Sequence, residues 1–186
     1  MGNEPVHSKT FGGVEFNWNQ VKSAKVKTGE NGQKMYFIEF KTGVTAEYPL
    51  QESGSMHSRE LTMWQSMDYD TETILKGIEG ATIKGSKKDD HIVAKEVKNS
   101  TIDVSGDNND DHVDVENTFR YYKRNDGSSY NDAIKSENNK IILDAEDTAT
   151  RKNKNVSKFQ NKSGEWTEKE TINNLDVEGP GTETRM

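Results

Sequence analysis

"GSKKDDHIVA" (residues 85–94) and "GDNNDDHVDV" (residues 106–115) are nearly the same line written twice, 21 residues apart. A third and more degraded copy, "GSSYNDAIKS" (127–136), follows at the same step. Gly85, Gly106 and Gly127 keep this spacing. So do Asp90, Asp111 and Asp132, and Ile92, Val113 and Ile134. Asp89 and Asp110 match, with Asn131 in the third copy, and His91 and His112 match, with Ala133 third. A fixed short period of this kind is the mark of a stacked repeat, because each unit buries its apolar face only against its neighbours. The segments between the bends, "TIKG", "HIVA", "TIDVSG" and "HVDV", are short, β-branched and alternating, which reads as strand. The fold expected is therefore all-β: a short parallel β-solenoid of about three 21-residue coils. Ile92, Val113 and Ile134 would form one inward ladder, continued on the same strand face by Ala94 and Val115.

Working outward, residues 1–13 read as a flexible lead-in. Residues 14–72 form an N-terminal β-meander cap with its connecting segment. Val21, Ala24 and Val26 mark the first strand. Tyr36, Ile38 and Phe40 alternate on the second, and Val44, Ala46 and Tyr48 on the third, which Pro49 ends. "SRELTMWQSM", with Met56 just before it, reads as a short amphipathic helix or a covering loop. The solenoid repeats are assigned to 73–147. A cap hairpin follows at 148–171, turning at Gly164 with Phe159 and Trp166 packed across it, and 172–186 read as a flexible tail. Caps are needed because a solenoid's bare end strands invite end-to-end pairing.

Composition agrees with a thin core. The 186 residues are 31% charged and 30% hydrophobic, and the net charge is -7. The acidic balance argues against a broad nucleic-acid-binding face. "RYYKR" (120–124) is the one basic–aromatic cluster and reads as a strand edge or partner-facing patch. The absence of cysteine excludes disulfides and thiolate metal sites. No apolar stretch is long enough to span a membrane, and the first residues lack the pattern of a signal peptide.

In a stacked repeat, equivalent aspartates lie above one another. Two carboxylates about 5 Å apart repel by roughly 1 kcal/mol in water and about 3–4 kcal/mol at an effective dielectric near 20. A cation would neutralise that repulsion, and calcium suits carboxylate and carbonyl oxygens in flexible bends. The candidate ligands are Asp89, Asp90, Asp107, Asp110, Asp111 and Asp132. The alternative is turn chemistry alone, since Asp and Asn side chains bond to their own backbone in bends. His91 and His112 precede inward residues and so point outward. Flanked by aspartates, they form a short ladder of the kind that takes zinc or another transition metal, although no third nitrogen ligand is evident.

The paired "DDH" lines resemble the repeats-in-toxin family of calcium-binding β-rolls, over residues 85–136 only. The family unit is a nonapeptide rich in paired glycines, whereas this unit has 21 residues with one glycine before each acidic bend; a generic right-handed parallel β-helix is as close. The resemblance implies calcium as cofactor and a secreted or surface-exposed bacterial protein. No catalytic signature occurs: there is no phosphate loop, no HExxH and no GxSxG. The expected function is a non-enzymatic structural or binding module. The alternatives are a carbohydrate-active or carbohydrate-binding β-helix, which a groove lined by Tyr36, Tyr48, Trp64 or Tyr122 would favour and scattered aromatics would count against, and a self-assembling subunit joined through its solenoid ends.

Overall fold

The computed structural model describes residues 10–52, 61–66, 72–106, 109–178 and 183–185. The chain is all-β with two mixed sheets, and neither closes into a barrel. Among the described residues one 3-10 turn, Trp18–Gln20, interrupts the strands.

The first sheet begins with β1 (Thr10–Phe11), β2 (Val14–Phe16), β6 (Thr62–Gln65) and β7 (Glu72–Lys76). It continues through β9 (His91–Lys95), β11 (His112–Lys123), β14 (Thr148–Gln160) and β15 (Trp166–Glu178), with β12 (Ser129–Ile134) lying beside β11. The second sheet runs in the order β16 (Glu183–Arg185), β13 (Lys140–Ile142), β10 (Thr101–Asp103), β8 (Thr82–Lys84), β5 (Thr45–Pro49), β4 (Lys34–Phe40) and β3 (Val21–Thr28). Each sheet has a parallel centre. In the first, β7, β9, β11 and β14 pair in parallel. In the second, β8, β10 and β13 do.

The register explains both the doubled line and its limit. His91 pairs with His112 and Ile92 with Val113, so the 21-residue step is a true rung. The next rung is not the third sequence copy. Val113 pairs onward with Ala149, and Ile134 pairs antiparallel with Thr118. "GSSYNDAIKS" is one arm of a hairpin inserted between rungs, so Ile134 leaves the inward ladder and Asp132 leaves the aspartate column. Elsewhere the step differs from 21 as well. Glu72 pairs with His91, and Ile83 pairs with Ile102 and then Ile141. The bends between rungs vary in length while the strands hold register, because only the strands must align their hydrogen bonds and inward side chains.

The inward faces make one core. Leu75, Ile92, Ala94, Val113, Val115 and Ala149 of the first sheet meet Ile83, Ile102 and Ile141 of the second, all essentially without solvent exposure. At one corner the chain turns through Gly80, Asn99 and Asn138, each with positive φ (71°, 53° and 57°). Gly and Asn are the residues that take this conformation at least cost. Beside that corner Glu79, Lys98 and Glu137 form parallel bridges. Just after it, the Ser100 hydroxyl accepts from Ala81 N–H and the Asn139 carbonyl oxygen accepts from Ser100 N–H. Each bend thus lends a polar side chain to the main chain of the bend before it.

The meander forms as read. β3, β4 and β5 pair antiparallel, and Ile38, Phe40, Val44, Ala46 and Tyr48 are buried. β5 then pairs with β8, which joins the meander to the parallel centre. "TMWQ" (62–65) is strand, not helix or loop. Leu61, Met63 and Gln65 point inward, and the buried Gln65 amide donates to Thr42 and Thr73 hydroxyls, so a polar letter conceals an alternating pattern. Met56 and Met67 lie outside the described residues.

Four further expectations are corrected. Thr10–Phe11 of the lead-in is a strand paired with β2. The hairpin around Gly164 exists, but its first strand is a full parallel neighbour of β11, and its second runs to Glu178. The tail also supplies β16, paired antiparallel with β13. Phe159 and Trp166 do not pack on each other: Phe159 meets Tyr121, whereas Trp166 meets Tyr122. They occupy neighbouring registers, Phe159 opposite Thr167 and Gln160 opposite Trp166, so their side chains leave opposite faces.

Candidate functional site

The repeated aspartates divide into two sets. Asp90 and Asp111 are buried, at 8% and 0% exposure, and the third member of their column is Asp147, also at 0%. Asp90 N–H donates to Asp111 Oδ1 at 2.7 Å, and Asp111 N–H donates to Asp147 Oδ1 at 3.0 Å. Within its own bend, Asp90 accepts from Ser86 N–H and Ser86 Oγ, and Asp147 accepts from Asp144 N–H. These carboxylates complete the hydrogen bonding of main-chain groups that no strand partner reaches. Asp89 and Asp110 are exposed, and Asp110 N–H donates to Asp89 Oδ1 at 2.9 Å. Asp107 lies outside the described residues. Asp132 is held on the inserted hairpin, where Arg120 Nη2 reaches its Oδ2 at 2.8 Å.

A second cluster lies on the outer face of the first sheet. Because β9, β11 and β14 are in parallel register, His91, His112 and Thr148 form one outward row, and Val93, Asp114 and Thr150 form the next. The same row reaches Ile74 on β7. Asp114 therefore occupies a place that Ile74 and Val93 fill with hydrocarbon, and it is only 3% exposed. Both imidazoles turn to it: His91 Nε2 lies 2.8 Å from Oδ2 and His112 Nε2 lies 2.8 Å from Oδ1. Lys152 Nζ lies 3.2 Å from Oδ2. The far ring nitrogens have oxygen partners too, Thr148 Oγ1 at 2.6 Å from His112 Nδ1 and Glu72 Oε2 at 3.5 Å from His91 Nδ1.

The electrostatics follow from this geometry. Burial alone would raise the Asp114 pKa. Hydrogen bonds from His112 and His91, with the positive charges of His112 and Lys152, outweigh it and hold the carboxyl well below the usual range. The hydrogen bond to Asp114 raises the His91 pKa, against desolvation and Lys152 and with help from the charges of Asp114 and Glu72. His91, His112 and Asp114 each offer one ligand atom, all within 4.8 Å of one another.

The outward direction of both histidines was readable in the sequence. The convergence on Asp114 was legible only as spacing, because His112 and Asp114 sit two apart on one strand. Thr148, Lys152 and Asp147 were missed. The signal for Asp147 and Thr148 is "DTAT" (147–150), which matches "DHVD" (111–114) in position and shares only its leading Asp.

A third feature is the arm. Beyond Glu116, β12 takes the place of β9 beside β11, and the order becomes β12, β11, β14, β15. Asn117 Oδ1 accepts from Ser136 N–H, and Ser136 Oγ donates to the Glu116 carbonyl, closing the base of the inserted hairpin. No side chain of the described arm belongs to the core cluster. On the outer face Tyr122 meets Tyr130 and Trp166 at ring separations of 5.8 and 6.4 Å, with Lys158 Nζ 5.2 Å from the Tyr122 ring. The four aromatics expected to line a groove are dispersed. Tyr36 stacks on the buried Tyr48, Trp64 lies on the sheet face, and Tyr122 is on the arm.

Comparison with protein-family models, with curated proteins and with solved structures finds no match to this chain. Among the described residues no helix is long and apolar enough to cross a membrane.

Proposed function

We propose that the chain is a non-enzymatic structural and binding module: a short parallel β-solenoid that holds a projecting β-arm out to a partner. The observation that carries this reading is the arm itself. β11 and β14 run as paired neighbours over twelve residues, from the core rungs out to Lys123 and Phe159, where aromatic rings occupy both faces. Tyr130 and Trp166 remain 44% and 46% exposed. Rings held open on a rigid sheet favour binding over packing.

The partner class best suited to the outer rings is carbohydrate, whose apolar ring faces stack on Tyr and Trp while their hydroxyls bond to amides and charges at the rim. Calcium at the outward bends, through Asp89 and Asp110 with Asp107, and a secreted or surface setting belong to the same proposal. Their support is the acidic composition of residues 101–116 and the resemblance to calcium-binding β-rolls.

Affinity electrophoresis of the wild type and of Tyr122→Ala/Tyr130→Ala/Trp166→Ala in a panel of polysaccharides tests the reading. Retardation of the wild type alone, with both proteins equally folded by circular dichroism, supports it. Equal migration of both through every gel refutes the carbohydrate partner. Concentration-dependent sedimentation of the wild type that the variant lacks would then assign the arm to self-association instead.

A further inference from the structure

The geometry points to a binding site for one divalent transition-metal ion at His91, His112 and Asp114, independent of the arm and of the acidic bends. Three observations combine. The first is convergence. Adjacent parallel strands bring the two imidazoles to a ring separation of 5.5 Å, and Asp114, one outward position further along β11, faces both Nε2 atoms at 2.8 Å. An ion seated among these atoms would take both nitrogens and one carboxylate oxygen, with open positions left for water or a small ligand.

The second is orientation from behind. A metal-binding imidazole needs its far nitrogen protonated and held. Thr148 Oγ1 stands 2.6 Å from Nδ1 of His112, and Glu72 Oε2 stands 3.5 Å from Nδ1 of His91. Both oxygens can accept Nδ1–H, so an ion that displaces the Nε2 protons now shared with Asp114 would find both imidazoles held in the tautomer that ligates through Nε2. These partners come from β14 and β7, so four consecutive strands of the parallel ladder contribute to one site.

The third is the setting. Asp114 is buried in a row shared with Ile74 and Val93, which keeps water from the carboxylate, while the His91 and His112 side chains remain 30% and 37% exposed and leave an entry path. Two imidazoles and a carboxylate favour Zn(II), Co(II), Ni(II) or Cu(II) over calcium, which prefers six or more oxygens. Lys152 is the resident competitor. Its ammonium sits 3.2 Å from Asp114 Oδ2, and its side chain is 30% exposed, so it can swing to solvent when an ion binds.

That competitor separates a metal site from a purely structural ion-pair network. The full chain, freed of metal with chelator, is titrated with Co(II) followed by visible absorption and with Zn(II) followed by calorimetry. One equivalent is expected to bind, with ligand-field bands of low-coordinate Co(II). His91→Ala and His112→Ala should each weaken binding at least about 100-fold, and Thr148→Val by roughly 10-fold or more. Lys152→Met keeps the aliphatic stem and should tighten binding by about 10-fold, because a cation opposing the ion is removed. A folded wild type that binds no Co(II) or Zn(II), or binds them equally after His91→Ala, overturns the proposal. So does a Lys152→Met variant that remains folded and binds no more tightly than wild type.

Discussion

The main-chain N–H of Asp90 donates to the side chain of Asp111, 21 residues later, at 2.7 Å. Asp111 N–H makes the same bond to Asp147, 36 residues later. The column of carboxylates is thus a column of main-chain caps: Asp111 and Asp147 each bind the bend before them, and Asp90 caps its own bend. The acidic line is repeated because the same unsatisfied N–H recurs at each rung.

Removing one cap should be costly. Asp111→Ala strands the Asp90 N–H in a buried bend, and hydrogen bonds to charged groups contribute about 1.5–3 kcal/mol. Urea unfolding should show a loss of about that size, with Asp111→Asn milder because its amide oxygen still accepts. Asp147→Ala should behave like Asp111→Ala. Equal stability of Asp147→Ala and wild type would contradict the column.

The outward aspartates carry a separate expectation. Millimolar calcium should raise the melting temperature, and Asp89→Ala/Asp110→Ala should abolish the rise. At about 100 times its dissociation constant a ligand stabilises by about 2.7 kcal/mol. Superimposable melting curves in calcium and in chelator would leave these residues as turn formers only.

Core register gives a third test. Ile102→Ala removes a fully buried side chain from the second sheet's central rung and should cost about 2–5 kcal/mol. Ile134→Ala, on the inserted hairpin, should cost well under that. A strict 21-residue repeat would place Ile134 in the inward ladder and make its loss comparable, so thermal unfolding of the two variants distinguishes the arrangements.

The Asp114 cluster should make metal-free stability depend on pH from both sides. Asp114 has a folded pKa below its ordinary 3.8, so its contribution is present above that value and is lost as pH falls. His91 has a folded pKa above its ordinary 6.5, so its contribution is complete below 6.5 and is lost as pH rises through the folded value. The stability difference between wild type and Asp114→Asn, measured with chelator present, should be greatest between 3.8 and 6.5. A difference that stays constant from acid to alkaline pH would show that the charges are not coupled.

Excising the inserted hairpin tests the base of the arm. Ser136 is clasped to Glu116 and Asn117, so the chain ends at the excision already lie together. Replacing residues 118–135 with a short Gly-containing turn should leave a folded core with nearly unchanged far-ultraviolet dichroism and should remove Tyr122 and Tyr130 from the arm. Loss of cooperative unfolding would show that the arm is part of the core.

Much of the strand content was legible in the sequence. Alternation located Tyr36 to Phe40 and Val44 to Tyr48, and the repeated "DDH" set the register of β9 on β11, because inward apolar residues and bend aspartates recur wherever a rung recurs. "ATI" at 81–83 and "STI" at 100–102 mark the second sheet's rungs at their own step, a signal that the 21-residue period hides. The fate of the third copy was not legible. "GSSYNDAIKS" has the letters of a bend and strand, but an antiparallel hairpin on β11 satisfies its hydrogen bonds as well as a rung would. Only the competing claim of "DTAT" for the next parallel place decides between them. The sequence by itself determined an all-β chain with stacked polar bends, since local alternation and turn chemistry need no distant partner. The tertiary structure alone decided that Asp147 and not Asp132 completes the column, and that His91, His112, Asp114 and Lys152 share one point. Those contacts depend on which strands lie side by side, and strand order is fixed by burial and hydrogen bonding summed over the whole sheet.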